Sequence, residues 1–122
     1  MTTPVPARVY RVRAAVGIVR LALQQIENEL NHDVTGPELA GVLRELHRED
    51  EPHDGVLGAL AQLLTTAAHR AEHLDTESDG EASCPLHEAA DHLRDSTGQH
   101  IHHATRALHP DGEYDAAYLP GR

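Results

Sequence analysis

The feature that most constrains this chain is the spacing of aliphatic residues in its opening segment. Val9, Val12, Val16, Val19, Leu23, Ile26 and Leu30 follow one another at alternating steps of three and four. A strand needs a step of two, so this rhythm predicts one long amphipathic helix. Pro4 and Pro6 precede it, where a missing backbone donor costs nothing, and Asn31 to Asp33 supply its stop, which places the helix over about residues 6–32.

The same rhythm recurs three more times. Thr35 and Glu38 have the spacing of a capping box, Pro37 stands in the first turn, and Leu39, Val42, Leu43 and Leu46 make one stripe, so a short helix is expected over about 36–47. Asp54 is the expected N-cap of a third helix over about 54–74, with Leu57, Leu60, Leu64, Ala67, Ala71 and Leu74 facing inward. Ser83 and Pro85 announce a fourth over about 84–108, whose inward positions read Leu86, Ala90, Leu93, Thr97, Ile101, Ala104 and Leu108. Ser96 to Gly98 is its weak point, since Gly costs about 1 kcal/mol against Ala in a helix.

Four amphipathic segments joined by short connections predict an all-α protein, an antiparallel helical bundle with a long first and a short second helix. A single domain over residues 1–108 is expected, followed by an irregular tail over 109–122 that carries Pro110, Gly112, Pro120 and Gly121. With no Phe or Trp in the chain, the core must be built from Leu, Val, Ile and Ala.

Charge excludes several function classes. All ten basic residues are Arg and the formal net charge is −10, which opposes binding to phosphate backbones and anionic lipids. The second and third helices could be read as a helix-turn-helix, but residues 55–69 contain no Arg to meet phosphate or guanine. Direct nucleic-acid binding is therefore not expected. The run from Ala14 to Leu23 is too short to span a bilayer and is interrupted by Arg20, so no membrane role is expected. The single Cys84 excludes an internal disulfide and agrees with a cytoplasmic location. It lies at the expected start of the fourth helix, three residues before His87, but nothing in the sequence supplies the orienting group and oxyanion pocket that a catalyst needs. No catalytic residues and no cofactor are assigned.

Eleven histidines give the chain its other peculiarity. Protonating all of them would carry the formal charge from −10 to +1, so mild acid would transform the surface field. His69 and His73, at i and i+4 with Glu72 between them, can in principle chelate a transition metal together with His92 and His103 of the fourth helix. Most of these residues project away from the predicted apolar stripes, so a metal-binding bundle is the second reading. Glu29 and His32 reproduce one fragment of the ferritin-like ligand pattern, but its second motif and partner glutamates are missing, and no family follows.

The leading reading comes from the first helix. At about 100° per residue, Ala14, Ile18 and Leu21 lie opposite its main stripe, so its middle is apolar on two faces. This predicts a self-associating, non-enzymatic interaction module of regulatory or assembly type, a homodimer whose contact surface is Ala14, Ile18 and Leu21 with Arg11 and Arg20 at the rim. Tyr114, Tyr118 and Leu119 in the acidic tail form a candidate docking segment, for a protein partner or for the bundle's own end. A third reading, an acidic mimic occupying a basic nucleic-acid site on a partner, follows from the net charge alone.

Overall fold

A computed structural model describes residues 4–48, 50–51, 53–74 and 80–109. The protein is an all-α helical bundle, and no strand occurs among the described residues. The helices are α1 (Ala7–Leu30), α2 (Gly36–Leu46), α3 (Val56–Leu74), α4 (Ser83–His92) and α5 (Gly98–Leu108), with a single π-helical turn, Leu93–Thr97, linking the last two. Every predicted helix is present, with ends within about two residues of expectation. The chain divides into two units between Val34 and Thr35, a division that the expectation of one domain over residues 1–108 does not contain.

The first unit is α1. None of its residues is buried. Val9, Val12, Val16, Val19 and Leu23 of the main stripe are exposed, as are Ile18 and Leu21 of the opposite face. Its ends are weakly fixed: Pro6 at the N-cap offers no side-chain hydrogen bond, the first turn has no acidic residue and the last turn no basic one.

The second unit contains α2 to α5. Thr35 and Glu38 form the expected capping box, with the Glu38 N–H donating to Thr35 Oγ1 at 3.1 Å and the Thr35 N–H donating to Glu38 Oε1 at 2.9 Å. These bonds hold the Glu38 carboxyl below its ordinary range, the Thr35 backbone donor being the larger cause. Helix α3 begins two residues later than expected. Its first bond runs from the Ala59 N–H to the Gly55 carbonyl, which makes Gly55 rather than Asp54 the capping position. A Cβ on Gly55 would lie 2.8 Å from the Leu46 carbonyl oxygen and 3.1 Å from the Arg48 nitrogen, so the turn out of α2 requires a residue without a side chain here.

Helix α2 runs antiparallel along α5, with Gly36 beside Leu108 at one end and His47 against Gly98 at the other. Helix α3 runs antiparallel along α4 and the π turn, with Glu72 opposite His87 and Thr65 opposite Arg94. The π turn sits where Asp95, Ser96, Thr97 and Gly98 weaken α-helix formation through competing side-chain hydrogen bonds and backbone entropy. The helix is thus continuous through Gly98, and its expected weak point is spent on one wider turn.

That turn rephases everything after it. One extra residue rotates the following helix by about 100°. Ala104, expected inside, is exposed, while Thr105 is buried and donates its hydroxyl proton to the Ile101 carbonyl at 2.8 Å. A similar correction applies to α3, where Gly58, Ala61 and Ala68 are buried and Leu60 and Leu74, both expected inside, are exposed. The cause is size: the helices meet along small residues, which allow close approach, and the larger Leu side chains splay to the flanks. No large side chain is fully buried among the described residues.

Candidate functional site

The rotation of α3 carries the most consequential difference from expectation. With the buried line running through Gly58, Ala61 and Ala68, Glu72 falls on the arc that faces α4 and His69 on its edge, while His73 lies further round. Across from them is His87, on the second turn of α4. Gly80, with φ of 81°, starts the turn into α4 in the left-handed region that favours glycine, and its carbonyl accepts the Cys84 N–H at 2.9 Å. The chain therefore enters α4 at a set phase, and His87 is aimed at Glu72.

Glu72 divides its carboxylate between the two imidazoles. His87 Nε2 donates to Oε1 at 2.7 Å, and His69 Nδ1 lies 3.6 Å from Oε2. The two rings meet edge to face, with centroids 5.3 Å apart at 79°. One nitrogen from each ring and a carboxylate oxygen all lie within 4.8 Å of one another, the only such group of three metal-capable side chains among the described residues. The hydrogen bond from His87 holds the Glu72 carboxyl below its ordinary range against the opposing effect of burial, with smaller lowering contributions from the nearby His69. Side chains between 38% and 60% exposed place the cluster at the surface, in reach of water and solutes.

Of the four histidines singled out for metal binding, only His69 belongs to this group. His73, His92 and His103 are exposed elsewhere on α3, α4 and α5. Sequence reasoning placed Glu72 beside His69 but did not single out His87 from the other histidines of the fourth helix as the third member. The available signal was the i, i+3 pair His69 and Glu72, which needs one opposing ligand from an antiparallel neighbour. Cys84 is an exposed free thiol, and the Nε2 of His87 is engaged by Glu72.

The second candidate surface lies wholly on α1. Ala14, Gly17, Ile18, Arg20, Leu21 and Gln24 line a shallow, mostly apolar groove along one face of that helix. A Cβ placed on Gly17 would touch nothing, so the groove floor is open to close approach. Ile18 is 70% and Leu21 67% exposed, the largest values among the bulky apolar residues of α1. Arg11 is exposed outside the groove, and Arg13 stacks on the Tyr10 ring at 5.5 Å from its centroid. Tyr114, Tyr118 and Leu119, the candidate docking segment of the tail, lie outside the described residues.

No described helix is long and apolar enough to cross a membrane. No family model, no curated protein and no solved structure matches this chain.

Proposed function

We propose that this protein is a non-enzymatic interaction module that self-associates through α1, with a second copy of α1 as the occupant of the Ala14–Ile18–Leu21 face. The observation that carries the reading is a 24-residue helix with apolar residues on two sides and no buried residue. An apolar helix face is normally covered by a neighbouring element.

Charge selects the second copy and its direction. Within α1, Arg8, Arg11, Arg13 and Arg20 all precede Glu27 and Glu29, and no acidic residue stands before Glu27. This order opposes the helix dipole, whose positive end is at the N-terminus. An antiparallel copy sets each basic half beside the partner's acidic half and pairs the two dipoles head to tail. Crossing near Gly17 brings Ile18 and Leu21 of both copies together at the centre, with Arg11 and Arg20 towards the rim.

Light scattering of the full chain tests this. The expected mass is twice the 13.3 kDa of the chain. Ile18→Glu with Leu21→Glu should return it to that of the monomer, and a dimer that survives both changes removes the assignment. Reversing Glu27 and Glu29 to Arg should weaken an antiparallel dimer, with recovery when Arg8 and Arg11 are also changed to Glu. A parallel pair would not be weakened by the first reversal, since its acidic halves already face each other.

A further inference from the structure

We propose that His69, Glu72 and His87 bind one divalent transition-metal ion of the zinc type and so clamp α3 to α4. The donor set comes first in the argument. Two neutral imidazoles and one carboxylate are the ligands that zinc and its neighbours in the first transition row accept together, whereas calcium and magnesium call for oxygen alone.

The geometry is close to what such an ion needs. Bonds of about 2.0–2.1 Å in a tetrahedral arrangement separate ligand atoms by about 3.3 Å. Here His87 Nε2 lies 2.7 Å from Glu72 Oε1 and His69 Nδ1 3.6 Å from Glu72 Oε2, and one nitrogen of each ring lies with one carboxylate oxygen inside a spread of 4.8 Å. The ion would take the place of the proton on His87 Nε2, the neutral imidazole then carrying its proton on Nδ1, and small rotations of exposed side chains complete the set, with a fourth position left to water. Two ligands come from one helix at i, i+3 and the third from the antiparallel neighbour, so the ion would bridge elements separated in sequence by the turn through Gly80.

The surroundings favour a cation, because the chain carries a formal charge of −10. The bridge would act where the fold is thin, since the buried residues of α3 and α4 are Gly58, Ala61, Ala68, Ser83 and Ala90, with no large side chain among them. An ion bound by the folded pair and not by the unfolded chain raises thermal stability with the logarithm of its free concentration once that exceeds the dissociation constant. The site does not depend on α1.

The test is a titration of the full chain, free of any affinity tag, with zinc chloride by calorimetry and with cobalt chloride by visible absorption. One ion per chain is expected, together with a rise of several degrees in Tm at saturating zinc. Glu72→Gln and His87→Ala should each weaken binding at least tenfold, whereas His73→Ala, His92→Ala and His103→Ala should leave it unchanged. His69→Gln provides a third, conservative variant at the site, and circular dichroism checks that each variant remains helical. Repeating the titration with Ile18→Glu and Leu21→Glu should give the same affinity, which separates this site from the association of α1. Undiminished affinity in Glu72→Gln and His87→Ala, or equal losses at His73, His92 and His103, would overturn the proposal.

Discussion

Helix α1 and the unit formed by α2 to α5 use apolar side chains in opposite ways. On α1 the bulky residues Val12, Ile18, Val19 and Leu21 stand in the open, and nothing is sealed from solvent. In the second unit the sealed positions are small, Ala40, Ala61, Ala68, Ala90, Ser83 and Thr105, with Leu side chains ranged round them. Small residues bring helices close and make geometry strict, whereas bulky exposed ones leave much area free to be covered by something else. The second unit is thus specified by fit, and α1 by what it still has to bury.

The strongest challenge to this contrast is to enlarge a small residue on each side of it. Ala61→Leu or Ala68→Leu forces a bulky side chain into a closed helix contact and should destabilise the second unit by about 1–3 kcal/mol in urea unfolding. Ala15→Leu on α1, outside the Ala14–Ile18–Leu21 face, should alter the stability of the second unit by less than about 0.5 kcal/mol, because Ala15 is exposed. Equal effects at the two places would erase the distinction.

Gly55→Ala probes fit at the backbone. The added methyl would meet the Leu46 carbonyl and the Arg48 nitrogen, neither of which can rotate away, so a loss of about 1–2 kcal/mol is expected in the same measurement. Thr35→Ala removes the acceptor of the capping box at the entry to α2 and should cost about 1 kcal/mol, read as a fall of several degrees in Tm.

The smallest expected effect is a pH dependence. Glu38 has a lowered folded-state pKa, so its contribution is complete above the unfolded carboxyl value of about 4.3 and disappears as pH falls through the folded value. Glu38→Gln should therefore flatten the decline of Tm between pH 5 and pH 3 while leaving α2 formed. A decline as steep as in the parent would assign the acid sensitivity to other carboxyls, of which Glu72 is the first to examine by the same substitution, since its pKa is lowered too.

How far these features were legible differs from helix to helix. The α2 cap was readable in full, because Thr35, Pro37 and Glu38 act on one another within a single turn. The inward face of α3 was misassigned by about one residue, since ranking by hydrophobicity selects Leu60 and Leu74 where packing selects Gly58, Ala61 and Ala68. The weak point at Ser96 to Gly98 was visible, but its conversion into a π turn and the exchange of Ala104 for Thr105 were not. The cluster turns on the phase of α3, which brings His69 and Glu72 together with His87 and not with His73, His92 or His103.

The amino-acid order alone determined the helices, their approximate lengths and the cap of α2, because hydrophobic period and capping are interactions within a few residues. It also determined the two apolar sides of α1 and the split of charge along it. Only the tertiary structure decided which side of α3 and α5 turns inward and that His87 meets Glu72. Those outcomes depend on how closely two helices can approach, a property of pairs of surfaces that neither sequence segment contains by itself.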